Sequence, residues 1–376
     1  MGRRWILVAV VLAASACGGP PVEPSTSLAP TAAPAATSSM PAATRSVAPT
    51  SSPSPVPSAS APPTEAQVLT ALPYPLREAR PNAEAAIYAI DSLWVPFYAS
   101  PNGWLLRLDA DTGRVAAKFP IGESPNSMAI GDLAVWVAND IGDGSRKYAG
   151  ANTLNRLDLQ TLRITTTQVQ VGGPIAAGFG AVFVPSFENG AGNGTLAKAD
   201  AATGRVVARW PISGTPVVGC GRLWVVHTLG GLMAPSVTVV TMVDPKTGQR
   251  LGEWPIIAEG VLGPAEVDGQ CRLLSALDST SGDPWRQGLQ PVSVEDGGVA
   301  PATAIFTVRT RILDGQLWAK LDDGIYQLVD PSGAPAGDPV AMPAVATVDK
   351  ADPYFFVAVG VGWAVGNDAA FRLILP

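Results

Sequence analysis

Apolar residues in 66–376 form short runs typical of β-strands. One type of run recurs along the chain, each time directly after a short turn. Each copy carries a large apolar residue at its centre, and successive copies lie about 45 residues apart, the length of a four-stranded unit. The central residues are Trp94, Trp136, Phe183, Trp224, Leu274, Trp318 and Trp363. Recurrence of a bulky residue at one strand position indicates packing between neighbouring units, not an aromatic ligand box.

A second pattern follows each of these strands: an apolar run that ends in an acid, often with Thr-Gly or Ser-Gly three residues later. The acids are Asp109, Asp158, Asp200, Asp244 and Asp330. An aspartate in this position accepts hydrogen bonds from backbone N–H groups two or three residues on, and glycine supplies positive φ. We therefore interpret them as hairpin turns between the third and fourth strands of a unit, not as catalytic carboxylates.

Together the two patterns predict an all-β fold, a seven-bladed β-propeller of four-stranded antiparallel blades over residues 66–376. The last unit shows only three strands, at 354–359, 362–365 and 371–375. Residues 67–74 have strand character and end in Leu72-Pro73, as the fourth strands end in Phe119-Pro120 and Trp210-Pro211. We expect this N-terminal strand to complete the last blade and close the ring.

The first unit, with the pattern LWV…LxRLDxxTGRVxxxxPIG, resembles the YVTN-type and related bacterial seven-bladed β-propellers. The Asp-x-x-Thr-Gly runs ending at Trp210 and Trp254 also resemble the repeats of pyrroloquinoline-quinone dehydrogenases. The quinoprotein likeness is partial, because the first unit ends in Phe119 and later units lack the Trp. The resemblances imply a propeller scaffold and no particular activity, so no cofactor is predicted.

The N-terminus has the sequence pattern of an export signal. Arg3 and Arg4 precede an apolar stretch at 5–14 that is too short to span a bilayer. Ala14-Ser15-Ala16-Cys17 resembles the lipobox of bacterial lipoproteins, which implies acylation of Cys17 and a membrane anchor. The protein would then be exported to the outer face of the cytoplasmic membrane, the periplasm or the cell surface. The alternative is an ordinary secretory signal that is cleaved near Ala16.

Composition divides the chain into three parts: a signal peptide at 1–16, the lipidated Cys and a linker at 17–65, and the propeller at 66–376. Residues 18–64 are almost entirely Pro, Ala, Ser and Thr, with Glu23 and Arg45 as the only charges. Such a segment cannot bury enough apolar surface to offset its ordering entropy, so it is predicted to be a disordered spacer.

Charge and cysteine content narrow the function classes. The net charge of −6 excludes a basic nucleic-acid footprint, so no nucleic-acid partner is predicted. One histidine and three cysteines exclude His-rich or Cys₄ metal sites, so no metal is predicted. Cys220 and Cys271 fall at first-to-second-strand turns of adjacent units, and in an exported protein they are expected to form a disulfide.

Recognition is expected on the face that carries the long second-to-third-strand connections, at 139–152, 186–194, 227–235 and 278–290. The candidate ligand- or partner-binding residues are Arg146, Lys147, Tyr148, Glu188, His227, Trp285 and Arg286. Two alternatives stay open: the loops are merely tolerated insertions, and His227 is an ordinary strand-end residue. No catalytic residue can be selected by spacing.

The sequence thus favours a membrane-anchored, extracytoplasmic, non-catalytic binding or scaffold module for a protein, a glycan or a small ligand. Its partner is expected on the long-loop face of units two to five. The alternative is a propeller-type hydrolase, lyase or lactonase acting at the loop-rich mouth of the channel, which would require polar side chains converging there.

Overall fold

The computed structural model describes much of the chain from Thr64 to Ile374. The described residues are 64–65, 67–73, 80–82, 85–99, 102–109, 111–112, 114–122, 124–139, 152–187, 194–229, 237–256, 260–267, 269–277, 286–300, 303–305, 309–313, 316–322, 325–342, 354–358, 361–365 and 369–374. The predicted signal peptide, Cys17 and nearly all of the predicted linker lie outside them. Within these ranges no helix has the length and apolar character needed to cross a membrane.

The described elements are strands, arranged in consecutive groups along the chain. Two N-terminal strands, β1 (Thr64–Glu65) and β2 (Gln67–Pro73), precede the first sheet. That sheet contains β3 (Arg80–Pro81), β4 (Ile87–Ala89), β5 (Ser92–Tyr98), β6 (Gly103–Asp109) and β7 (Val115–Gly122). The next group is β8 (Pro125–Gly131), β9 (Ala134–Asn139), β10 (Thr153–Asp158) and β11 (Ile164–Gln168).

The middle of the chain forms three further groups. They are β12 (Ala176–Gly178), β13 (Ala181–Phe187), β14 (Gly194–Asp200) and β15 (Val206–Trp210); then β16 (Thr215–Gly219), β17 (Arg222–Leu229), β18 (Val237–Val243) and β19 (Arg250–Ile256); then β20 (Gly260–Val267), β21 (Gln270–Leu277), β22 (Arg286–Pro291) and β23 (Thr303–Ile305).

The last two groups end the described chain. They are β24 (Arg309–Leu313), β25 (Gln316–Asp322), β26 (Ile325–Val329) and β27 (Val340–Ala341), followed by β28 (Tyr354–Ala358), β29 (Val361–Val365) and β30 (Ala369–Ile374). In each group after the first, the strands pair antiparallel with their sequence neighbours, so each of these sheets is a meander.

The prediction of seven four-stranded blades is wrong. Six blades of four antiparallel strands are formed by the described residues: β8–β11, β12–β15, β16–β19, β20–β23, β24–β27, and β28–β30 with β2. The first sheet departs from this plan, because its inner strand is broken into β3 and β4, which pair with opposite ends of β5. Pro81 has no N–H to donate, and the chain turns after it, with Ala85 N–H bonded to the Asn82 carbonyl.

The N-terminal strands are shared between two blades. Strand β2 pairs antiparallel with β30 and supplies the fourth strand of the blade that contains β28–β30, as the sequence predicted for this segment. Strand β1 pairs parallel with β27 and adds a fifth strand to the edge of the β24–β27 blade. Thr64 and Glu65, which the sequence assigned to the linker, therefore belong to a sheet.

The sheets stack face to face around a common centre, as in an all-β propeller. The innermost strand of one sheet contacts that of the next at β4–β8, β8–β12, β12–β16, β16–β20 and β24–β28. Second strands such as β5 and β9 are buried along almost their whole length, whereas the fourth strand β7 is largely exposed. A strand covered on both faces needs apolar residues at consecutive positions, which explains runs such as Leu93-Trp94-Val95.

The recurring tryptophans pack between sheets, as the sequence predicted. Trp94, Trp136 and Trp224 are fully buried. Trp94 lies in one apolar cluster with Phe119 of its own sheet and Val135 of the next blade. Its ring stacks on that of Phe119 with centroids 6.3 Å apart. These residues hold neighbouring sheets together and leave no aromatic surface there for a ligand.

The acid-ended turns are capped by their own side chains, which confirms their structural role. Asp158 Oδ1 accepts hydrogen bonds from Thr161 N–H at 2.8 Å and from its hydroxyl at 2.9 Å. Asp109 and Asp200 form the same pair of bonds with Thr112 and Thr203. The Thr161 bonds, joined by Arg156, lower the pKa of Asp158 to about 2.

The predicted disulfide is present. Cys220 and Cys271 are bonded and join the β16–β19 and β20–β23 blades across 51 residues of sequence. Both residues are buried in a cluster that includes Trp224 and Leu273. Closing a loop of that size contributes roughly 4 kcal/mol to stability in the chain-entropy account.

Candidate functional site

A cleft of about 540 Å³ opens between the β12–β15 and β16–β19 blades. It lies beside the strand ends from which long connections leave, at the end of β17 and the beginning of β14 and β18. Its lining residues are Gly194, Thr195, Pro211, Ile212, Ser213, His227, Val239, Thr241, Arg250 and Glu253. The cleft therefore begins at the long-loop ends, where recognition is expected, and extends along β18 and β19 to Arg250, which follows the third-to-fourth-strand turn.

His227 reaches the cleft because of strand alternation. Leu223 and Val225 of β17 are buried in the apolar cluster shared with Phe183 and Trp210 of the preceding blade. His227 follows on the same face at the next alternate position, opposite Val239 of β18. The face is thus apolar deep in the contact between blades and becomes polar where the two sheets separate, which leaves the imidazole partly exposed at the cleft.

An Arg–Glu pair forms another wall of the cleft. Arg250 Nη1 lies 3.2 Å from Glu253 Oε2, and both side chains are about half exposed. Residues three apart on a regular strand point to opposite faces, but β19 is bulged here. Its register with β18 shifts between Met242 and Val243, so that Arg250 pairs with Val243 while Glu253 pairs with Thr241. The extra residue brings the cation and the anion to one face.

This ion pair is a ready source of polar contacts for a ligand. An exposed Arg–Glu pair contributes little net free energy, typically about 0–1 kcal/mol, because solvent screens it. Exchanging one partner for a ligand group therefore costs little. The guanidinium can bind an acidic or hydroxylated group, and the carboxylate can accept from an N–H or O–H.

Two hydroxyl groups at the cleft have unused hydrogen-bonding capacity. Thr195 Oγ1 and Ser213 Oγ are both buried, and neither has a hydrogen-bond partner among the described residues. Gly194 lets the Ser213 hydroxyl approach, since a Cβ at position 194 would lie 2.5 Å from Ser213 Oγ. A buried hydroxyl without a partner is costly, and a polar ligand that reached these oxygens would remove that cost.

The lining residues include groups that can donate and accept hydrogen bonds. Histidine, arginine, glutamate and hydroxyl groups are present, but no hydrogen bond joins the His227 ring to another side chain of the described residues. Over the same ranges no group of three or more His, Cys, Asp or Glu side chains is arranged to hold a metal ion.

Of the seven residues singled out in the sequence, the structure places one in the cleft. His227 lines it, and Arg286 begins β22 of the β20–β23 blade. Arg146, Lys147, Tyr148, Glu188 and Trp285 lie outside the described residues. The sequence analysis missed Arg250 and Glu253, because only the bulge in β19 brings them to one face.

Comparisons with known proteins bear on the fold. No known family matches the chain, and no curated protein matches it. Among solved structures, the Cps50 (Swd1) β-propeller domain of Myceliophteria thermophila is 10% identical with a TM-score of 0.56, covering 83% of this chain and 100% of that one. BamB from Moraxella catarrhalis is 12% identical with a TM-score of 0.49, covering 83% and 98%. With the sheet topology, the likeness to the Swd1 domain shows that this chain has the β-propeller fold.

Proposed function

We propose that the protein is an extracytoplasmic lipoprotein whose propeller is a non-catalytic binding module. The observation that carries the binding role is the cleft between the β12–β15 and β16–β19 blades. It combines an easily opened ion pair, an imidazole and two unpartnered hydroxyls beside the strand ends of the long-loop face. The bound group would be polar: a small ligand, a glycan unit or the end of a protein segment.

Localisation outside the cytoplasm is supported by the disulfide. Cys220–Cys271 is compatible with an oxidising compartment, where such bonds form and persist. Anchoring through Cys17 is supported by the lipobox-like Ala14-Ser15-Ala16-Cys17 and by the export signal before it. Two or more acyl chains on one cysteine would attach the protein firmly, since each buried CH₂ contributes about 0.8 kcal/mol.

Anchoring is tested by Cys17→Ser in the full-length protein. The unaltered chain should enter the detergent phase after phase partition and incorporate labelled palmitate. The variant should do neither, because it has no thiol to acylate. Ser15→Ala serves as the control and should behave as the unaltered chain. Equal partition of the Cys17→Ser variant would show that Cys17 is not the anchor.

Binding at the cleft is tested with a panel of neutral saccharides, amino acids and dipeptides, by thermal shift followed by calorimetry. Arg250→Ala and His227→Ala should each weaken binding of any hit roughly tenfold, the effect of losing one charged or polar contact. Arg209→Ala, an exposed arginine on β15 that does not line the cleft, is the matched control. Unchanged affinity in both cleft variants would contradict the proposal, and turnover of a hit would favour the hydrolase or lyase alternative.

A further inference from the structure

Four turns place large apolar residues in a backbone conformation that such residues rarely adopt. Eight described residues other than glycine have positive φ. Asp91, Asp132 and Asn152 are of the types that tolerate it, and Cys220 is tied by its disulfide. The remaining residues are Ile90 (φ 53°), Leu133 (56°), Leu162 (55°) and Phe179 (57°). Asn, Asp or Gly normally fills such turn positions, and for a β-branched or bulky residue the conformation is strained.

Burial in the core does not account for these side chains. Their exposed fractions lie between 45% and 59%. In the turns equivalent to that of Leu162, glycine takes its place: Gly204 and Gly248 N–H donate to the Asp200 and Asp244 carbonyls, as Leu162 N–H donates to the Asp158 carbonyl. Neither turn geometry nor core packing explains an exposed isoleucine, leucine or phenylalanine at these sites. Backbone strain combined with exposed apolar surface is typical of recognition sites.

Three of the four residues occupy first-to-second-strand turns of consecutive sheets. Ile90 lies between β4 and β5, Leu133 between β8 and β9, and Phe179 between β12 and β13. We call these three residues the turn patch. Leu162 adjoins the patch at a third-to-fourth-strand turn, since Leu159 N–H of that turn donates to the Leu133 carbonyl at 2.9 Å.

The turns of the patch are neighbours in space. A Cβ at Gly131, just before the Asp132–Leu133 turn, would lie 3.1 Å from the Ala177 Cβ, just before the Phe179 turn. Strands β4 and β8 are also in contact. The patch therefore runs across three adjacent sheets, at their first-to-second-strand turns.

The charged residues in these turns indicate which kind of partner the patch can bind. Asp91 follows Ile90 and Asp132 precedes Leu133; both are exposed, and neither forms an ion pair among the described residues. The three turns carry no lysine or arginine. A second copy docking face to face would bring carboxylates together, and an anionic lipid surface would be repelled. An apolar segment with lysine or arginine beside it satisfies both features.

We propose that the turn patch is a second interaction surface, which binds a basic amphipathic segment of a partner protein. Apolar side chains of the segment pack on Ile90, Leu133 and Phe179, and its cations pair with Asp91 and Asp132. This surface goes beyond the cleft and is independent of it, because neither the patch residues nor Asp91 and Asp132 line the cleft.

The test uses substitutions that should raise the stability of the fold while removing the apolar side chains of the turn patch. Phe179→Asn and Leu133→Gly create Asn-Gly and Asp-Gly, the preferred pairs for such turns, and Ile90→Asn relieves the β-branched position. Each variant should melt about 2 °C higher or more, because the strain is removed.

The probe is a synthetic peptide of about 14 residues with leucine on one face and lysine on the other. Affinity for it should fall at least tenfold in the triple variant and in Asp91→Asn/Asp132→Asn.

Control variants separate binding at the turn patch from binding at the cleft and from general effects of exposed apolar residues. Val207→Thr alters an equally exposed apolar residue on β15 and should change neither melting temperature nor affinity. Arg250→Ala in the cleft should leave peptide binding intact. Absence of binding by the unaltered protein, undiminished binding by the triple variant, or a lower melting temperature in all three single variants would overturn the proposal. So would preferential binding of a glutamate-for-lysine peptide or of phosphatidylglycerol vesicles, or a dimer that the triple variant abolishes.

Discussion

At the scale of single residues, the turn aspartates make the stability of the fold depend on pH. Hydrogen bonds from Thr161 and the Arg156 guanidinium lower the pKa of Asp158 to about 2. Asp109, Asp200, Asp244, Asp296 and Asp330 also have lowered pKa values, each through hydrogen bonds within its own turn. A carboxylate with a lowered folded-state pKa stabilises the fold above its unfolded pKa, near 4, and loses that contribution as the pH falls through the folded value.

We therefore expect the melting temperature to fall between about pH 4 and pH 2. Asp158→Asn should melt a few degrees lower than the unaltered protein at pH 7, and the difference should shrink as the pH approaches 2, where Asp158 itself becomes protonated. Thermal melts at closely spaced pH values measure this. Asp338→Asn, an exposed residue with no hydrogen bond among the described residues, is the control. A difference that stayed constant down to pH 2 would contradict the assignment.

The roles of single residues could be predicted from the sequence where a local sequence pattern determines the structure. The buried positions of Trp94, Trp136 and Trp224 follow from their place in repeated strands, and the capping role of Asp109 and Asp200 follows from the turn sequence. The exposure of the turn-patch residues could not be predicted, because isoleucine, leucine and phenylalanine normally indicate burial. Their exposure is seen only in the structure, where they occupy turn positions with positive φ.

At the scale of elements, β2 is the strand on which the β28–β30 blade depends. It pairs with β30 from Gln67–Ile374 to Pro73–Ala369. Removing residues 66–76 should leave the edge of β30 unpaired and lower the melting temperature by more than 10 °C, since one edge of a blade loses its hydrogen bonds. Calorimetry of the truncated protein measures this, with deletion of residues 30–40 as the control. A melting temperature equal to that of the control would show that β2 is dispensable.

Strand irregularities account for what the repeat pattern failed to predict. The broken inner strand of the first sheet depends on Pro81 and on the turn that follows it. The meeting of Arg250 and Glu253 depends on a bulge that leaves Leu251 without a partner on β18. A period near 45 residues locates units, but it carries no information on the one-residue shifts that decide which side chains share a face.

At the scale of the whole molecule, the fold separates two kinds of surface. The cleft lies between the β12–β15 and β16–β19 blades and includes charged and polar side chains, whereas the turn patch lies at the first-to-second-strand turns of the first three sheets and is apolar with acidic neighbours. The disulfide and the buried tryptophans hold neighbouring blades together. The two proposed binding surfaces together would suit a scaffold role.

The order in which β1 and β2 join their blades has a mechanical consequence. A pull on the chain ahead of Thr64 acts first on β1, which pairs with β27 at only two positions, Thr64–Val340 and Glu65–Ala341. We expect these few bonds to break before the longer β2–β30 pairing, so that the blade containing β28–β30 stays complete under a load that has already detached β1.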